Sequence, residues 1–473
     1  MKDIVLIGGS FTSMLLALKL KLDNPYRRVT IIEKEAKLGG LYKTFDYGDS
    51  VKFDMDIHLY SDTNDSEIDK LVYDLLPEEE WNVLEGFRRD IAGTYFNGNL
   101  QKNTSYADLR AYSVNEKSKF LGDMFLNIAN DIQSNKFTNL ADYLNAKFGY
   151  SLTQEIFRPV LEKHYGVALE SLDPMATSLI PLARVVIYEE NEITHLMESS
   201  NIRSRIAFPD QRRLPPSYQR TGRCLYPKGF GINKMIEALE KKLNVYGVKI
   251  LKEAAVKSLD ITDTKIQNVV IESHEGSYAV PVDYLFWGAG LPRLGALMNV
   301  PQMGVFQSQR AVFVNLLFDK PLKMADLYYF YVFDSGFYSF RVTNYSAYCP
   351  NAISSKGYPV CVCLWLPEAK SEEEMVSIAV NELLKMQVID NSYKVNFSKT
   401  ELNSSFPKPS VSNINLMDRL RDKIEQQSVS NLATIGVLSK KGYFYLPEIL
   451  IDAFNKARVL GDKPMETLSH SEF

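Results

Sequence analysis

Two glycines and a carboxylate near the start of the chain carry the clearest chemistry. Gly8-Gly9-Ser10-Phe11-Thr12-Ser13 follows the apolar run Asp3 to Ile7, and Glu33 ends a second apolar run, about twenty residues on as dinucleotide sites require. A dinucleotide needs a tight turn, a backbone that comes close to its pyrophosphate, the positive end of a helix, and a carboxylate for its ribose hydroxyls. The spacing supplies each part, with Gly8, Gly9, Ser10, Phe11, Thr12, Glu33 and the adjacent Lys34 as candidate contacts. Ser10 and Ser13 stand where the pattern asks for glycine. Backbone approach to the pyrophosphate and helix packing are therefore expected to be slightly impaired.

A Gly-Gly pair follows in Glu33-Lys34-Glu35-Ala36-Lys37-Leu38-Gly39-Gly40-Leu41. An acidic strand end with this pair behind it resembles the flavoprotein family of amine oxidases, phytoene desaturases, protoporphyrinogen oxidase and UDP-galactopyranose mutase. The resemblance implies that FAD is the cofactor and that Gly39, Gly40 and Leu41 lie against its flavin side. Phe53-Asp54-Met55-Asp56-Ile57-His58-Leu59-Tyr60 is similar to the mutase stretch in which Gly-Pro-His lies beside the flavin ring, and Asp56 and Ile57 depart from it. Tyr226-Pro227-Lys228-Gly229-Phe230-Gly231 resembles a turn shared across the family, after which Val256 takes the place where a valine backbone meets adenine. Near the C-terminus, Gly436-Val437-Leu438 through Tyr445-Leu446-Pro447-Glu448 resembles the segment that holds the flavin and its ribityl chain, which implicates Gly436, Tyr445 and Leu446. Val437 replaces the family's arginine, and Pro447 removes a backbone N–H.

Substrate chemistry is carried by fewer residues. Ser339-Phe340-Arg341-Val342-Thr343 resembles the strand from which mutase-like proteins extend an arginine towards a nucleotide-sugar pyrophosphate, a role suited to a guanidinium. Arg341 is therefore the main substrate candidate, with a solvated sheet edge as its alternative. Arg184 lies near another family arginine but one residue out of register. His58 and Arg341 are the candidate catalytic residues. Arg203, Arg205, Arg212, Arg213, Arg220, Arg223 and Lys228 sit among prolines in an irregular basic loop, which fits a lid over an anionic substrate, a solvated insertion or a partner contact. His164 reads as packing in a helical region, and His195, His274 and His470 have no partner pattern for a metal.

The elements that must position these groups follow from periodicity. Asp3 to Ile7, Met14 to Leu22 and Val29 to Ile32 form a βαβ unit, and Asp65 to Phe148 reads as a helical insertion. Nucleotide-domain character resumes at Tyr226, residues 305 to 420 alternate as a sheet, and a final strand and helix cover Asn431 to Leu460. The expected fold class is α/β: a discontinuous Rossmann-like FAD-binding domain (1–60, 222–300, 425–465) and a mixed helical and antiparallel-sheet substrate domain (61–221, 301–424), with a tail at 466–473.

Bulk properties exclude several classes. With 45% hydrophobic and 24% charged residues the chain is an ordinary globular protein, and a net charge of -4 gives no case for nucleic acid. Cys224, Cys349, Cys361 and Cys363 lack zinc spacing and read as buried thiols, Cys361 and Cys363 on one sheet face. A strand near the amino terminus with no basic leader, and no run long enough for a membrane helix, lead to an expected cytoplasmic location.

Taken together, the sequence points to an FAD-dependent enzyme acting on a small molecule, a sugar nucleotide or glycan precursor, as a mutase-like isomerase or an oxidoreductase in polysaccharide biosynthesis. A flavin amine oxidase or desaturase is one alternative. A degenerate flavoprotein-fold scaffold serving binding or assembly is the other, suggested by Ser10, Ser13, Asp56, Val437 and Pro447.

Overall fold

The computed structural model describes residues 3–102, 104–130, 137–219, 222–301, 303–324, 326–442 and 444–462. Arg220 of the basic loop, the tail 466–473 and His470 lie outside them.

Asp3–Ile7 is the middle strand of a five-stranded sheet. Its neighbours are Arg28–Ile32 and then Lys249–Leu251 on one side, and Tyr284–Trp287 and then Leu432–Thr434 on the other. Every pairing is parallel. Parallel strands are covered on both faces and read as continuous apolar runs, which is why Ile4 to Ile7 and Leu285 to Trp287 are all buried. On one face the helix Phe11–Asp23 lies between Asn233–Val245 and Leu446–Asp462. Phe11 to Lys21 are all buried, so this helix shows little amphipathic stripe. Its buried Lys19 is held by Asp23 at 2.9 Å and Glu67 at 2.6 Å. On the other face an antiparallel meander, Ala255–Thr262, Lys265–Ser273 and Gly276–Pro281, contributes Val256, Ile266, Val269 and Ile271 to a second core.

A seven-stranded sheet is the second layer. Its order is Val395–Pro407, Ser308–Phe318, Tyr358–Trp365, Ser339–Asn344, Tyr329–Val332, Ala92–Phe96 and Asn99–Gln101. Two of these strands come from the stretch expected to be helical. Residues 92–96 are buried throughout, so they show no alternation to reveal a strand, and they pair in parallel with Tyr329–Val332. Helices Val114–Ala129 and Leu140–Phe148 do form where the apolar spacing places them, capped by Ser113 and Asn139. All four cysteines are free and buried. Among the described residues no helix is long and apolar enough to cross a membrane, and no three His, Cys, Asp or Glu side chains gather as a metal site.

Candidate functional site

Three adjacent strands of the parallel sheet end in glycine at their carboxyl ends: Gly8 after Ile7, Gly288 after Trp287, and Gly436 after Ile435. A Cβ on Gly8 would lie 3.3 Å from the Gly288 carbonyl carbon, and one on Gly436 would lie 3.9 Å from the Gly288 oxygen. Gly8 and Gly436 also have φ of 92° and 98°, a region that favours glycine. The result is a crest of bare backbone at the end of the sheet where α/β folds bind ligands.

The Glu33 carboxylate closes one side of this crest. Gly9 N–H donates to it at 2.6 Å and Glu35 N–H at 2.8 Å. A Cβ on Gly9 would collide with the Leu38 side chain. Gly39 N–H donates to the Gly9 carbonyl at 2.7 Å, and a Cβ on Gly40 would lie 3.5 Å from that of Ser10. The two glycine motifs are thus one surface. Lys34 and Leu41 are exposed beside it, whereas the Phe11 and Thr12 side chains are buried and offer only backbone.

The serines at glycine positions are accommodated. Ser10 caps the helix Phe11–Asp23, its Oγ accepting from Ser13 N–H at 3.3 Å. Ser13 is buried with Oγ 3.1 Å from where a Gly288 Cβ would stand. Gly288 on the strand supplies the space that a glycine on the helix would otherwise leave. That residue was not among the sequence candidates, although a glycine directly after a buried strand was a legible signal.

An aromatic bridge leads from the crest to a second polar centre. Phe11 stacks on Tyr42 at 5.0 Å, and Tyr42 lies 5.3 Å from the His58 ring. His58 Nδ1 is enclosed without a hydrogen-bond partner, and burial brings the imidazole down to about 4, so it is neutral at pH 7.

Two residues before His58, Asp56 occupies φ 62°. Its carboxylate accepts from Arg341 Nη2 at 2.6 Å, from Thr343 Oγ1 at 2.7 Å and from Ile57 N–H at 2.9 Å. Arg341 stands on the central strand of the seven-stranded sheet, not on a solvated edge, with Tyr329, Tyr331 and Phe340 rings 5.5–5.7 Å from its Cζ. Burial opposes its charge, but Asp56 more than offsets that and holds the guanidinium protonated. The arginine expected to grip a phosphate therefore already grips a carboxylate.

A buried network supports this segment from behind. Asp54 accepts from Thr44 Oγ1 at 2.6 Å, Tyr226 Oη at 2.5 Å and Ile232 N–H at 3.0 Å, and burial pushes its carboxyl up to about 6. The Tyr226–Gly231 turn is thereby fastened to the His58 segment.

Other sequence candidates lie elsewhere or are engaged. Val256 is buried near Glu33, whose carbonyl accepts from Ala254 N–H, but the Val256 carbonyl accepts from Arg293 Nη2 at 2.6 Å. Tyr445 is half exposed, and Leu446 packs on the main core at the start of the last helix. Arg184 lies over Tyr106, 4.7 Å from Cζ to ring centroid, in a cluster of its own. Three arginines of the basic loop are neutralised locally: Arg212 by Asp210, Arg213 by Asp210 and Glu190, and Arg223 by Asp62. Arg203 donates to the Met197 carbonyl. Arg205 and Lys228 likewise donate to backbone carbonyls, of Lys147 and Asn201 and of Glu79.

Residues 6–75 match the NAD(P)-binding Rossmann-like domain family. No curated protein sequence matches the chain. Among solved structures the chain is similar to reduced UDP-galactopyranose mutase, with TM-score 0.74 and 13% identity over 98% of this chain and 94% of that one. It is also similar to a protein provisionally assigned as a protoporphyrinogen oxidase from Exiguobacterium sp. 255-15, with TM-score 0.68 and 15% identity over 98% and 99% of the two chains. A CLA-producing fatty acid isomerase from P. acnes gives 0.57 and 11% over 96% and 98%. The chain thus shares the fold of these solved structures and carries an NAD(P)-binding Rossmann-like segment at residues 6–75.

Proposed function

We propose that this protein is an FAD-dependent enzyme and that its substrate is a sugar nucleotide or a related glycan precursor. The observation that carries the reading is the glycine crest at Gly8, Gly288 and Gly436, with the Glu33 carboxylate at its side. A bare backbone edge beside a carboxylate suits a pyrophosphate and a ribose, the parts common to all such dinucleotides. Gly8, Gly9, Ser10, Glu33, Gly39 and Gly40 would hold the nucleotide half. His58, with its orphaned Nδ1, Gly436 and Tyr445 would meet the flavin half. The flavin supplies the electron chemistry, while the protein supplies position and charge. Arg341 is the substrate-phosphate residue on this reading, and substrate must displace Asp56 to reach it.

The Asp56–Arg341 pair and the occupied Val256 carbonyl favour one second reading, a binding or assembly subunit without catalysis. A visible absorbance spectrum of the purified protein, then thermal-shift titration with FAD and with UDP-sugars, separates the two. Flavin absorbance together with stabilisation by a UDP-sugar supports the enzyme. A colourless protein that takes up no added FAD sinks it.

A further inference from the structure

Three cations gather with no acidic partner among the described residues. Lys147 belongs to the helix Leu140–Phe148, Arg184 precedes the short strand Val185–Val186, and Arg205 follows the turn at Ser200–Arg203. Backbone groups lock them together. Arg205 Nε donates to the Lys147 carbonyl at 2.6 Å, Lys147 Nζ donates to the Ala183 carbonyl at 3.1 Å, and Val185 N–H donates to the Arg205 carbonyl at 3.0 Å. All three residues are partly buried. Among the described residues none of the three has an acidic partner, in contrast to Arg212, Arg213 and Arg223 of the neighbouring loop.

Like charges held together without a counter-charge repel, and partial burial strengthens the repulsion. The titratable groups that face Lys147 are Arg205, Arg184 and Tyr143. Burial first, and then the two arginines, bring the Lys147 ammonium down to about 8. Two phenols complete the cluster. Tyr143 Oη accepts from Lys147 Nζ at 3.2 Å, and Tyr106 Oη accepts from Arg184 Nη2. A phenol that accepts from a cation still has its own proton to donate.

We propose that Lys147, Arg184 and Arg205 form a binding site for a phosphoryl group, with Tyr106 and Tyr143 as additional donors. Three cations and two hydroxyls exceed what one carboxylate can accept and suit the several oxygens and higher charge of a phosphate or pyrophosphate. The elements involved are not those of the glycine crest or of Arg341, so the site goes beyond the flavin reading and stands without it.

The test is calorimetric titration of the full chain at neutral pH with inorganic phosphate, pyrophosphate and UDP. Binding that falls ~tenfold or more in Lys147→Gln/Arg205→Gln, and is unchanged in Arg212→Gln, supports the site. Tighter binding of UDP than of pyrophosphate assigns the phosphoryl group to a nucleotide, and equal binding assigns it to the free anion; either supports the site. No binding, equal affinity in the double variant, or an equal loss in Arg212→Gln overturns it. Flavin absorbance of the same samples reports separately on the FAD reading. Should the double variant fail to fold, the wild type decides alone. An anion beside Lys147 favours its protonated form, so binding at alkaline pH is expected to take up protons and its heat to vary with the buffer's ionisation enthalpy.

Discussion

Asp56 sits at a left-handed backbone position, φ 62°, and its carboxylate holds the Arg341 guanidinium at 2.6 Å. The resemblance to mutase-like proteins puts glycine at this position. The backbone here adopts a conformation that favours glycine, and the side chain it carries occupies the arginine. A residue other than glycine in this region carries a cost of about 1 kcal/mol, which the ion pair and the Thr343 hydrogen bond offset.

Asp56→Gly should therefore relieve the backbone and free Arg341. Removing one partner of a buried pair lowers stability by about 3 kcal/mol, measured by urea denaturation. Binding of UDP should strengthen ~tenfold relative to wild type, and adding Arg341→Ala should cancel the gain. Unchanged UDP affinity in Asp56→Gly would show that Arg341 does not meet phosphate.

Glu33→Ala should weaken FAD binding by ~1.4 kcal/mol or more, a tenfold effect, whereas Arg341→Ala should leave it within a factor of about two. Flavin fluorescence titration checks both. Because Glu33 also accepts from Gly9 and Glu35 N–H, Glu33→Gln should retain part of the turn and lie between the two. Equal effects at Glu33 and Arg341 would count against the crest as the cofactor site.

Gly288→Ala pushes a methyl group to 3.0 Å from the Ile7 carbonyl oxygen and 3.1 Å from Ser13 Oγ. Such overpacking costs about 1–3 kcal/mol. Ser13→Ala removes one of the two collisions, so the double variant should recover about 1 kcal/mol relative to additivity, read from thermal or urea midpoints. Strict additivity would mean that the strand glycine does not make room for the helix serine.

Asp54 and His58 should tilt the stability–pH curve in opposite directions. The Asp54 carboxyl is pushed up to about 6, so the folded state binds its proton more tightly than the unfolded chain, and stability rises as pH falls from about 6 towards 4. The His58 imidazole is brought down to about 4, so the unfolded chain protonates first and stability falls as pH drops from about 6.5 towards 4. Each effect amounts to about 3 kcal/mol at full extent. Relative to wild type, Asp54→Asn should steepen acid destabilisation over this window and His58→Gln should flatten it. Parallel curves for wild type and either variant would refute that assignment.

The sequence by itself determined the glycine-and-carboxylate half of the candidate site. Gly8-Gly9, Glu33 and Gly39-Gly40 are close in the chain, and local strand, turn and helix patterns place them without distant information. Periodicity likewise placed the sheet strands and the last helix, but it missed residues 92–96, whose pairing with Tyr329–Val332 is made across more than two hundred residues. What only the tertiary structure decided are the relations between distant side chains. Asp56 reaches Arg341, Ser13 fits beside Gly288, Arg293 takes the Val256 carbonyl, and Lys147, Arg184 and Arg205 gather with no acidic partner among the described residues. The physical reason is the same in each case. The free energy of a charge, or of a single methyl group in a packed interior, depends on which atoms stand within a few ångströms, and chain spacing does not encode that neighbourhood.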